Sequence, residues 1–107
     1  MIVCIAGKNN IAVEILIYLV QRGIKKENIY IISNKTDDGK DNWQRSLLKK
    51  ANKMGIEIRN LEDVYSIENL LFLSLEFDKI VNPNKFKSNK LFNIHFSLLP
   101  KYKGIYT

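Results

Sequence analysis

Proline and glycine are scarce in this chain, 2 and 5 among 107 residues, which leaves little material for long flexible linkers. A single cysteine, Cys4, excludes an internal disulfide and fits a reducing compartment, so a cytoplasmic location is expected. The apolar opening "MIVCIA" is far too short to span a membrane and lacks the basic leader of a signal peptide, so no membrane partner is expected. No arginine-rich block or aromatic–basic repeat occurs, which argues against nucleic acid as a partner. Also missing are the G-x-G-x-x-G series, the P-loop, a C-x-x-C pair and an H-E-x-x-H pair. Their absence removes the best-marked sites for nicotinamide nucleotides, nucleoside triphosphates, dithiol chemistry and zinc. One histidine and one cysteine far apart give no metal site, and none is expected.

What remains is an ordinary globular composition, 46% hydrophobic and 26% charged, in a length that buries one moderate core. The net charge of +6 suits an anionic partner, and it equally suits a solvated lysine-rich surface.

The hydrophobic pattern alternates between strand and helix. "MIVCIA" reads as a strand buried on both faces, followed by a turn at Gly7 with Asn9 or Asn10 as helix cap. Ile11, Ala12, Ile15, Leu16, Leu19 and Val20 then form one helical stripe, which Gly23 closes in a left-handed conformation. Residues 28–33, "NIYIIS", predict a second strand. Asp41 and Gln44 have capping-box spacing, and Trp43, Leu47, Ala51 and Met54 recur on one face of a second helix stopped by Gly55. "IEI" is a minimal third strand, and "NLEDVYSIEN" reads as either a loop or a short helix. "LLFLSL" at 70–75 is a fourth strand, a lysine-rich helical turn or two follows Pro83, and "LFNIHF" is the last strand. This order predicts an α/β, Rossmann-like three-layer domain with a mostly parallel sheet. Ligands of such sheets bind beyond the carboxyl ends of the strands, which singles out residues 7–10, 33–40, 75–82 and 96–107.

The lone histidine, His95, falls at one of these ends. A histidine there is either a packed, hydrogen-bonded ring or a reactive group. Asn93 lies two residues before it and shares its strand face. Together the two can polarise a carbonyl, hold developing charge on its oxygen and move a proton near neutral pH. Ser97 lacks the glycine pattern of a nucleophile elbow and reads as a loop-stabilising hydroxyl.

The string "NIHFSLLPKYKG", Asn93 to Gly104, resembles the active-site motif of the folate-dependent formyltransferases, Asn-x-His-Pro-Ser-Leu-Leu-Pro followed by a basic and aromatic pair and a glycine. Phe96 replaces the usual proline, and with "KGIYT" this looks most like the bacterial nucleotide-sugar N-formyltransferases. The resemblance implies formyl transfer from 10-formyltetrahydrofolate, as co-substrate, to the amino group of a nucleotide-linked deoxyamino sugar such as a dTDP-amino sugar of lipopolysaccharide biosynthesis. Methionyl-tRNA and glycinamide ribonucleotide formyltransferases are the alternatives, as is a non-catalytic remnant.

Under this resemblance Asn93 and His95 are catalytic. Phe77, Leu98, Leu99 and Pro100 adjoin the cofactor, and Lys79, Phe96 and Tyr102 adjoin the acceptor. Residues 1–107 then correspond to the N-terminal domain of such an enzyme, for which a homodimer is the expectation in full length. The family's third catalytic group, an aspartate in a later segment, has no counterpart here, so the chain alone is expected to be inactive.

Overall fold

The structure, a computed structural model, describes residues 1–94. Its strands are β1 (Ile2–Gly7), β2 (Ile29–Ser33), β3 (Glu57–Ile58), β4 (Leu70–Leu75) and β5 (Lys90–Ile94). Helices α1 (Asn9–Gln21), α2 (Leu47–Met54) and α3 (Leu61–Val64) lie between them, with 3-10 turns at Lys26–Asn28 and Pro83–Lys85. Every strand pairing is parallel, in the order β3-β2-β1-β4-β5. The expected α/β, Rossmann-like layering with a parallel sheet is what forms, and the strand order reverses at β1.

Alternation along the strands sorts the core into two layers. Val3, Ile5, Ile29, Ile31 and Leu75 pack with Ala12, Val13 and Leu16 of α1 and with Leu47 and Ala51 of α2. Cys4, Ala6, Ile32 and Phe72 point the other way, toward Leu61 and Val64 of α3 and toward Phe86. Each large side chain buried this way contributes about 2 kcal/mol. The exposed Lys49–Asp41 pair, at 3.1 Å, is screened by solvent and adds little. The core therefore holds the sheet, and surface charge does not.

The helix ends follow local chemistry where no distant partner competes. Gly23, at φ 96°, donates its N–H to Val20 O at 3.1 Å, and Ile24 donates to Leu19 O at 3.1 Å. That is the Schellman closure expected of this glycine. Gly55, at φ 74°, ends α2 in the same left-handed conformation.

Three local expectations are corrected. Lys8, not Asn9 or Asn10, flanks α1, and Asn10 Oδ1 instead accepts from Arg45 N at 2.9 Å and Arg45 Nε at 3.0 Å. The second helix begins at Leu47 with Ser46 as its cap, the Ser46 oxygen accepting from Lys49 N at 3.0 Å. Asp41 and Gln44 form no capping box, because Asp41 accepts from Ser46 N while Gln44 Oε1 accepts from Asn10 N. Trp43 thus lies outside the helix and is 85% exposed. After Pro83 a single 3-10 turn replaces the expected helical turns.

Candidate functional site

The carboxyl ends of the strands are stitched together at the point where strand order reverses. Lys8 N donates to Leu75 O and Asn34 N to Gly7 O, both at 3.3 Å, and Glu76 N donates to Ile94 O at 3.1 Å. Gly7 is required here by space, since a Cβ on it would sit 1.9 Å from Leu75 O. The loops leaving β1, β2 and β4 and the end of β5 are therefore held to a rigid rim.

A cavity of about 430 Å³ opens at the β4–β5 side of this rim. Its floor comes from Phe72 and Leu91, and its walls include Ser74, Phe77, Lys79 and Asn93. Asn93 pairs in register with Ser74, and it shares the sheet face of Leu91. Phe72 is buried against the Phe86 ring, with centroids 4.9 Å apart, so the floor is fixed by the core. Asn93 is exposed, and among the described residues its carboxamide takes no hydrogen-bond partner. An apolar floor, one carboxamide and the Lys79 ammonium make a site that can bury a flat ring system and polarise a carbonyl at its edge.

Three residues singled out in the sequence, Phe77, Lys79 and Asn93, thus line one cavity. His95, Phe96, Leu98, Leu99, Pro100 and Tyr102 lie outside the described residues.

A second cavity, about 230 Å³, opens between the loops that follow β1 and β2. Lys8, Asn9, Thr36, Lys40, Trp43 and Arg45 line it. Asp37 shares the lining, but its carboxylate is used internally: it accepts from Gly39 N, Ser46 Oγ and Leu48 N at 3.0, 2.5 and 3.0 Å. Arg45 is tied to Asn10 and to Glu14. Asp38 also lines the cavity, its Oδ1 accepting from Lys40 N at 3.1 Å, and Lys8 and Lys40 supply the remaining positive charge beside an exposed indole. The carboxyl-end rule had marked the loops but not Trp43, which helical spacing assigned to a packed face. An aromatic residue inside a run of Asp, Asn and Lys was the available signal.

Among the described residues no group of three or more His, Cys, Asp or Glu side chains is placed to hold a metal. Cys4 is fully buried, and burial pushes its thiol far above the usual value, so it is an inert core residue. No helix among the described residues is long and apolar enough to cross a membrane.

Fold and rim together define an α/β protein of the Rossmann-like class with two cavities at the carboxyl ends of its parallel strands. Comparison with solved structures narrows the class. WlaRD, a sugar 3N-formyltransferase whose crystal structure contains dTDP and 5-N-formyltetrahydrofolate, superposes with a TM-score of 0.89 at 51% identity, over 98% of this chain and 38% of its own. The N-formyltransferase from Helicobacter canadensis, in complex with folinic acid and dTDP-3-aminofucose, gives 0.89 at 53% identity, over 98% of this chain and 39% of its own. No family model and no curated protein matches the chain. By fold and by sequence, the chain matches the N-terminal part of the sugar N-formyltransferases, and it spans 38–39% of the length of these relatives.

Proposed function

We propose that the protein transfers a formyl group from 10-formyltetrahydrofolate to the amino group of a nucleotide-linked deoxyamino sugar. The observation that carries this reading is the convergence of Phe77, Lys79 and Asn93 on one cavity at the carboxyl ends of β4 and β5. The acceptor amine attacks the formyl carbon, forming the new C–N bond and a tetrahedral intermediate. Asn93 donates from its carboxamide to the oxygen as negative charge develops there. The bond from that carbon to N10 of the folate then breaks, the amine loses a proton, and N10 gains one. His95 is assigned to handle these protons or to share the oxyanion with Asn93.

The ring system of the folate rests on the apolar floor beside Phe77, with Leu98, Leu99 and Pro100 assigned to the same ligand. Lys79, Phe96 and Tyr102 are assigned to the acceptor. The cavity with Lys8, Lys40 and Trp43 suits the nucleotide end, with ammonium groups for phosphate oxygens and an indole face for the base. The same reading places the reaction in the cytoplasm. The direct experiment incubates the chain, completed by a downstream segment that carries the family's aspartate, with 10-formyltetrahydrofolate and a panel of dTDP-linked amino sugars. A product heavier by one carbonyl group is expected. Formylation of methionyl-tRNA or glycinamide ribonucleotide instead, or of no acceptor, would overturn the assignment.

A further inference from the structure

We infer that Asn34 is a positioning residue, whose carboxamide sets the loop after β4 and, through it, the Phe77 and Lys79 wall of the Asn93 cavity. This inference rests on the proposed reading of that cavity.

Asn34 is only 2% exposed, and it lies just beyond β2. Both ends of its carboxamide reach across the sheet: Nδ2 donates to Glu76 O at 2.9 Å, and Oδ1 accepts from Asp78 N at 3.3 Å. The grip is returned by the neighbouring backbone, since Lys35 N donates to Asp78 Oδ2 at 2.8 Å. These bonds bracket Phe77 on both sides. Asn34 is itself tied to β1, its own N–H donating to Gly7 O at 3.3 Å.

The loop needs such a grip. Glu76 sits at φ 58°, a left-handed conformation that is strained for a residue with a side chain. The Asn34 bond to Glu76 O and the Glu76 N–H bond to Ile94 O hold the peptide groups on the two sides of that residue. The turn therefore emerges between β2 and β5, and it delivers Phe77 and Lys79 to the cavity that Asn93 lines from β5. A carboxamide can donate in one direction and accept in the other from a buried position, whereas an ionised aspartate has no donor for Glu76 O.

The test uses the same completed enzyme with Asn34→Ala and, because that buried substitution endangers folding, also with Asp78→Ala, which removes only the exposed bond to Lys35. Two readouts are taken: steady-state kinetics with 10-formyltetrahydrofolate, and amide hydrogen exchange at 76–79 against Val3–Ala6. Loss of the two Asn34 bonds is expected to raise KM for the folate about tenfold while kcat stays within about threefold. Exchange at 76–79 should accelerate with β1 unchanged. Asp78→Ala should show the same pattern more weakly. Unchanged KM and exchange in both variants would overturn the inference, as would a uniform acceleration that includes β1, the mark of a merely structural role. A completed wild-type enzyme without turnover counts against the proposed function, and the exchange comparison then decides the role of Asn34 by itself.

Discussion

β1 and β5 end at the same rim of the sheet and are built on opposite terms. In β1, Val3, Cys4, Ile5 and Ala6 are wholly buried, with parallel neighbours on both sides. In β5, Phe92 is 57% and Ile94 40% exposed, and among the described residues the strand pairs with β4 alone. β1 has side chains chosen for packing and a glycine where strands crowd. β5 places Asn93, a group of no use to a core, beside a cavity. Stability and the proposed chemistry thus sit on separate strands, joined through β4 and its loop.

The sharpest way to break that division is Gly7→Ala. A methyl group 1.9 Å from Leu75 O cannot be absorbed by a flexible neighbour, because the contact is backbone in the middle of the sheet. A loss of about 3 kcal/mol is expected, lowering the thermal midpoint by roughly 15 °C. Retention of full stability would mean that β1 and β4 can spread, and that the rim is softer than its hydrogen bonds indicate. Asn93→Ala tests the other side. Its stability should stay within about 0.5 kcal/mol of wild type, since no core contact is lost. Formyl transfer should fall about 100-fold, the usual effect of removing one donor to an oxyanion. Unfolding of Asn93→Ala, or its full activity, would collapse the distinction between the strands.

The same division explains what the sequence discloses. β1, β2 and β4 are continuous apolar runs because both their faces are covered, so they can be read without knowing the neighbours. Gly23 and Gly55 close helices by bonds within a few residues, and they are equally legible. The start of α2 is not. Asp41 and Gln44 have the spacing of a capping box, but Gln44 is taken by Asn10, 34 residues away, and a local pattern cannot reveal that competitor. The site follows the same rule. Asn93, Phe77 and Lys79 were marked by a motif and by the carboxyl-end rule. The part played by Asn34 depends on partners 42 and 44 residues further along the chain.

The smallest effect concerns the loop that carries Trp43. Asp41 accepts from Ser46 N at 2.8 Å and from Lys49 Nζ at 3.1 Å, bonds that favour its charged form and hold its carboxyl below the usual range. A folded-state value below the unfolded one of about 3.9 stabilises the fold above that pH, and the contribution fades as pH falls through the folded value. Asp41 is exposed, so solvent screens the contribution and the core should not sense it. Asp41→Asn should therefore be slightly less stable than wild type at neutral pH, with the difference closing below about pH 4. The chain has one tryptophan, so emission from Trp43 follows this loop directly, while exchange at Val3–Ala6 follows β1. Acid should change the first before the second. A wild-type advantage that persisted undiminished well below that pH would show that Asp41 does not act through its charge. Simultaneous loss of both signals would show that the loop and the core unfold as one unit.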